Sequence, residues 1–194
     1  MTLEVDQGVE LAREFIARSR YYLMEEYRTK LRRAVSAIPA QNVWRRPNEE
    51  SNSVGNLLLH LAGNVRQWIV SGVGGAPDTR DRPAEFNTRS GASADELLAG
   101  LEAVLKDADD VLARLTPLDL MERRAIQGRD VSVMAAVYSA VQHFSTHLGQ
   151  IIWVAKELSP GSIRFYDDAD GRARPIWRED GGRRNEERGM RREQ

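Results

Sequence analysis

Apolar residues recur every three to four positions in four long stretches of this chain, and each stretch is bounded by residues that start or stop helices. This pattern constrains the fold most, because a helix with one apolar stripe must bury that stripe against other elements. The first stretch runs from about Val9 to Ile38, with Phe15, Ile16, Leu23, Tyr27, Leu31, Val35 and Ile38 near helical spacing, and Pro39 stops it. Ala40 to Asn52 reads as a polar connection anchored by Trp44. Ser51, Asn52 or Ser53 can cap a second helix from about Val54 to Val70, whose inner arc holds Val54, Leu57, Leu61, Val65 and Trp68. The capping box Ser93-Ala94-Asp95-Glu96 opens a third, which ends at Pro117. Leu97, Leu98, Leu101, Val104, Leu105, Ala108, Val111, Leu112 and Leu115 lie on its inner side, and Asp107, Asp109 and Asp110 read as solvated face. Leu118 to Arg129 is a polar link with room for a short extended piece, and its Arg123 and Arg124 read as solvated. Asp130 or Ser132 can cap a fourth helix that continues to about Leu158 and is ended by Pro160-Gly161. Val133, Val137, Phe144, Leu148, Ile151 and Ala155 form its apolar arc. The expected fold class is all-α.

Between the second and third helices, Gly72, Gly74, Gly75, Pro77 and Pro83 interrupt any helix over residues 71–92. A connection of that length in a compact domain points to function or to a surface crossover. Two readings follow from its Asp81, Arg82, Glu85 and Phe86: a lid over a site, or a crossover whose Phe86 docks on the helices. After Pro160, residues 162–177 carry enough apolar content to lie along the helices, whereas the mixed-charge stretch that follows cannot offset its ordering entropy. The expected organisation is therefore one domain over residues 1–177 with a disordered charged tail over 178–194. At 194 residues the chain can bury an ordinary core.

Charge excludes some partners. Twenty-eight Lys and Arg against 29 Asp and Glu leave a net charge of -1, so no basic field draws nucleic acid. No apolar run is long enough to cross a membrane, and the N-terminus has acids where a signal peptide needs basic residues, so a cytoplasmic protein is expected. Cysteine is absent, which removes disulfides, Cys-ligated zinc and a protein thiol nucleophile together. Any thiol chemistry would need a thiol brought by a substrate.

The chain has three histidines, and all lie in helical segments. His143 and His147 are four apart in the fourth helix, on one face and one turn from each other. His60 lies in the second. Each sits at the border between its helix's apolar arc and polar neighbours: Asn56, Asn64 and Gln67 beside His60, Ser139 and Gln150 beside the pair. Two imidazoles one turn apart can ligate one ion, and a third from a neighbouring helix would complete a three-His set with open coordination positions. The zincin motif is excluded, because the place after the first His is Phe144 where that motif needs Glu. Alone, His-x-x-x-His more often marks hydrogen-bonded core or surface histidines than a metal site.

The stretches SNSVGNLLLHLAGNVRQWI around His60 and VQHFSTHLGQIIW around His143 and His147, with Gly149-Gln150 after the last His, resemble the DinB/YfiT-like superfamily. The resemblance covers roughly Val9 to Leu158. It implies an antiparallel four-helix bundle with a long crossover, a divalent metal (nickel, zinc, iron or manganese) held by His60, His143 and His147, and a homodimer. Characterised relatives use the metal to activate a low-molecular-weight thiol, and this chain is most similar to a branch without an assigned reaction.

Two functions are consistent with these residues. The first is a metal-dependent enzyme of transferase, isomerase or hydrolase type, in which the ion lowers the pKa of a thiol or water. Asn64, Gln67 and Gln150 would then orient a small-molecule substrate, and Arg80 or Arg82 would pair with its carboxylate. The second is a non-catalytic interaction or stress-response module whose metal ties two helices together, or which has none. A fourth protein ligand, Glu or Asp, would favour the second.

Overall fold

The computed structural model describes residues 2–178, with side chains from residue 7 onward. The expected disordered tail, 178–194, lies outside the described residues except for Arg178. The chain divides into two compact units, Met1–Ile163 and Arg164–Gln194.

The first unit is an all-α, antiparallel four-helix bundle with short additions. Its first long helix, α1, runs through Thr2–Tyr21, a π-helical segment Tyr22–Tyr27 and Arg28–Ser36. The chain then turns through Pro39, whose ψ of 132° is incompatible with a helix. Trp44 fastens this connection: its indole donates to the Ala92 carbonyl at 2.9 Å, and its ring lies where a Cβ on Gly55 would come within 2.7 Å of it.

Helix α2 comprises Val54–Val65 and a π-helical continuation Arg66–Val73. Of the three candidate caps, Ser53 is used. Its hydroxyl accepts from the Asn56 N–H, while Asn56 Oδ1 accepts from the Ser53 N–H, so two of the free first-turn groups are satisfied reciprocally. A short helix α3, Arg82–Asn87, interrupts the crossover, capped by Asp81 and favoured by Pro83 in its first turn. Helix α4, Ala94–Ala113, starts at the Ser93/Glu96 capping box, and α5, Val133–Leu158, at Ser132.

Helix α1 packs on α4 and α5, and α2 packs on the same two, so α1 and α2 face across the bundle. This arrangement makes α2 and α5, the helices that carry the histidines, direct neighbours. The core follows the apolar arcs: Leu31 and Val35 from α1, Leu61 and Ile69 from α2, Leu101 and Leu105 from α4, and Phe144 and Ile151 from α5 are almost fully buried. Asp109 departs from its expected role as solvated face. It accepts two hydrogen bonds from Arg20 at 2.6 and 3.0 Å, tying α4 to α1.

The link before α5 forms an antiparallel hairpin, β1 (Arg123–Ile126) and β2 (Arg129–Ser132). Its two-residue turn, Gln127-Gly128, has positive φ at both positions, which suits the twist of paired strands. Ile126 is buried and lies over Gly72 of α2, where a Cβ would come within 2.7 Å of its Cγ1. Arg123 is bonded to Asp130 across the hairpin. The second unit contains a minimal hairpin, β3 (Tyr166–Asp167) paired with β4 (Arg174–Pro175).

Candidate metal centre

The register of α2 against α5 brings the three histidines together. His60 Nε2 lies 2.9 Å from His143 Nε2, and the ring centroids of the three imidazoles are 4.4–5.0 Å apart. One nitrogen from each lies within 4.8 Å of the other two, so the group can hold a metal ion. His60 is buried, and the other two are partly exposed.

The outer nitrogens decide which inner ones present lone pairs. His60 Nδ1 is 2.8 Å from Glu85 Oε2, and Arg80 grips the same carboxylate with Nε at 2.6 Å from Oε1 and Nη2 at 2.8 Å from Oε2. Burial, the largest influence on Glu85, would raise its pKa; the hydrogen bonds and charge of Arg80, with those of His60, outweigh it and hold the carboxyl below its ordinary range. An ionised carboxylate only accepts, so His60 Nδ1 donates to it and Nε2 is left with its lone pair toward the cluster. His147 Nδ1 likewise donates to Gln150 Oε1 at 2.7 Å, which leaves its Nε2 free to ligate. His143 Nε2 donates to His60 Nε2 in this arrangement and must carry its proton on Nδ1 to ligate. Burial above all, then the neighbouring His147, His60, Arg80 and Arg82, lower the His143 pKa to about 4. Its ring is therefore neutral near pH 7, and no proton has to be expelled for it to become a ligand. The His147 pKa is lowered too, mainly by burial. Three imidazole nitrogens converging from two helices suit a borderline divalent ion.

The crossover supplies the wall behind His60. Helix α3 lies against α2 with Glu85 buried and with the Phe86 ring 4.7 Å from the His60 ring. Asn56 holds it there, its Nδ2 donating to the carbonyls of Glu85 and Thr88 at 2.8 Å each. These are carbonyls that the end of a helix leaves without partners. Gly63 permits the approach, because a Cβ there would come within 2.9 Å of Glu85 Cδ and 3.0 Å of Arg80 Nε.

Not all expected site residues meet at the cluster in the same way. The Arg80 side chain is buried, with its nitrogens on Glu85 and Gln67 and its Nη2 also 3.0 Å from His60 Nδ1, so it braces His60 and has no reach to a substrate carboxylate. Arg82 is exposed and lies 4.9 Å over the Phe86 ring. Gln67 donates to Asp78 and accepts from Arg80 and Gln127, which links the cluster's support to the β1–β2 turn. Asn64 is buried one turn beyond His60, and its Oδ1 has no hydrogen-bond partner among the described residues. A buried acceptor so left costs about 1–3 kcal/mol, which a bound water or ligand would relieve. Phe86 docks on the bundle, as one of the two readings of the crossover expects, whereas the engagement of Glu85 with His60 was not legible in the sequence. The signals for a docked helix were Asp81 followed by Pro83, and a glycine one turn from His60.

An antiparallel four-helix bundle of this connectivity is the fold of the DinB-like proteins. The DinB-like protein YjoA of Bacillus subtilis superposes with a TM-score of 0.58 at 17% identity, over 77% of this chain and 97% of its own. A DinB-like protein of Bacillus cereus ATCC 10987 gives 0.57 at 18% identity, over 75% and 94%. The chain belongs to the family described as "Protein of unknown function (DUF1572)", whose pattern matches residues 10–166. No curated protein matches it significantly. No described helix is long and apolar enough to cross a membrane.

Proposed function

We propose that this protein is a metal-dependent enzyme acting on a small molecule, with a divalent ion (nickel, zinc, iron or manganese) held by His60, His143 and His147. Such an ion, when bound, supplies the Lewis acidity that lets a thiol or a water ionise near neutral pH. The observation that carries the reading is the donor set. Three imidazole nitrogens converge within 4.8 Å, and the acid that reaches them, Glu85, is engaged on the outer nitrogen of His60. Structural sites are usually closed by four protein ligands, whereas the group among the described residues has three.

The residues around the cluster have separable tasks in this reading. Glu85 and Arg80 fix the tautomer and orientation of His60, and Gln150 does the same for His147. Histidines ligate as neutral donors and would leave the charge of a bound ion uncompensated, so an anionic substrate group such as a thiolate complements the site best. With no cysteine in the chain, that thiol arrives as a low-molecular-weight cosubstrate, and the reaction is a transfer, an isomerisation or a hydrolysis. The setting is the cytoplasm, and the working form a homodimer.

Elemental analysis of tag-free protein after dialysis against metal-free buffer, beside a His60→Ala, His143→Ala, His147→Ala variant, tests the assignment. About one divalent ion per chain in the parent and none in the variant is the expected result. A parent that retains no metal, with a melting temperature indifferent to added zinc, nickel or manganese, favours a non-catalytic helical interaction module.

A further inference from the structure

Beyond the histidines, two arginines from distant parts of the chain converge on one backbone atom. Arg46 Nη2 and Arg89 Nη1 each donate to the Phe86 carbonyl, both at 2.7 Å. Among the described residues, every other hydrogen bond these side chains make ends on a neutral oxygen as well: Arg46 on Asn56 Oδ1 and the Glu49 carbonyl, Arg89 on the Thr88 carbonyl. Capping the end of α3 accounts for these bonds, since cations suit the carbonyl end of a helix. It does not account for the charge. Carbonyls supply no counter-ion, and among the described residues no carboxylate pairs with either guanidinium. Like charges brought to one atom repel each other, and the pKa of Arg46 is lowered first by burial and then by the positive charge of Arg89.

The two side chains line a surface groove of about 570 Å³, with Asn48 and Glu49. Arg89 is exposed, and its Nε and Nη2 have no partner within the described protein. These donors have the fork geometry that matches the paired oxygens of an oxyanion. Asn48 uses its Oδ1 on the backbone of Glu50 and Ser51, which stiffens that wall. Glu49 is the acid of the groove; it pairs with neither arginine and restricts the ligand to a small or singly anionic end.

We propose that this groove binds the carboxylate or phosphate end of a small molecule, with Arg89 as the exposed ligand and Arg46 as the charge behind it. The proposal stands whether or not the histidines hold an ion. Because Phe86 joins the two arginines to the His60 ring, an anion seated here would also brace α3 against the cluster.

The test uses full-length, metal-stripped protein at low ionic strength, titrated by calorimetry with inorganic phosphate and, separately, with succinate, against sodium chloride of matched ionic strength. Saturable binding of phosphate or succinate is expected, and the tighter of the two identifies the anion class. Arg89→Gln should weaken it about tenfold or more, while Arg13→Gln, an exposed change on α1, should leave it unaltered. Glu49→Gln should tighten it, a gain that misfolding cannot imitate. Heats no larger than those of chloride with both probes, or binding unchanged in Arg89→Gln, would overturn the proposal.

Discussion

At the scale of single residues, Glu85 determines what the histidine cluster can do. It is buried between a cation and an imidazole, and the two partners need different things from it. Arg80 needs its charge, because its own side chain is only 3% exposed. His60 needs an acceptor that holds its proton on Nδ1. Glu85→Gln keeps the shape while removing the charge, and outer-shell partners of metal-bound histidines typically set affinity by about 10–100-fold. A fall of that size in zinc affinity, read by competition with a chelating dye, is expected with far-UV helicity unchanged; equal affinity in the variant would remove Glu85 from the site. Both changes leave the buried Arg80 guanidinium without its counter-charge, so both should cost stability, and Glu85→Ala, which also removes the hydrogen-bond acceptor, the more, about 3–5 kcal/mol. None of this could be read along the chain. Glu85 is 25 positions from His60, in a stretch whose glycines and prolines argue against regular structure, and only the docking of α3 brings the two side chains to 2.8 Å. The histidines themselves were legible, because helical spacing alone puts His143 and His147 on one face and His60 at the matching border of its own helix.

At the scale of elements, three of the four long helices were readable because cap and arc agree, and the first because its arc runs up to Pro39. Ser53, Ser93 and Ser132 start helices where a small polar residue precedes an apolar run, and Val133, Val137, Phe144, Leu148, Ile151 and Ala155 of α5 are all buried. The π-helical segments and the pairing of β1 with β2 were not, although the sequence of the link leaves room for a short extended piece, because both are set by tertiary contacts. Four residues per strand are too few to show an alternation, and Gly72 shows its purpose only once Ile126 lies over it. Glycines within helices give this distinction a measurable form. Intrinsic propensity favours alanine over glycine in a helix interior by roughly 0.5–1 kcal/mol. At Gly100 of α4 a Cβ meets nothing within 4 Å, so Gly100→Ala should stabilise by about that amount. At Gly63 of α2 the same change drives a methyl into the Glu85 carboxylate and to 3.0 Å from Arg80 Nε. Gly63→Ala should therefore destabilise, by about 1–3 kcal/mol as overpacking does, and loosen zinc binding with it. Urea unfolding of both variants checks the pair, and Gly63→Ala as stable as Gly100→Ala would mean that α3 does not press on α2.

At the scale of the whole molecule, two helices that are neighbours only by tertiary packing carry the proposed ligands, so the proposed metal binding would be linked to bundle stability. A ligand that binds the folded state alone adds RT ln(1 + [L]/Kd), which is about 4 kcal/mol at a thousandfold excess over Kd. For a domain of this size each kcal/mol raises the melting temperature by roughly 2–4 °C. Zinc or nickel at saturating concentration should thus raise the melting temperature of the metal-stripped protein by about 10 °C. The rise should grow with the logarithm of free metal, which separates linkage at one site from scattered surface binding. The triple histidine variant should show no such rise; His143 and His147 lie outside the buried arc of α5, and His60 is the one buried side chain lost, so helical content should be kept at some cost in stability. The slope of unfolding free energy against urea should be the same with and without metal, because the ion joins helices that are already packed and leaves the exposed area on unfolding unchanged. A slope that steepens with metal would mean that the ion completes the fold, which is the behaviour of a structural tie. An unchanged slope with a large rise in melting temperature describes a preformed site, and a preformed three-nitrogen site that is open to a further ligand is the arrangement from which chemistry on a thiol can start.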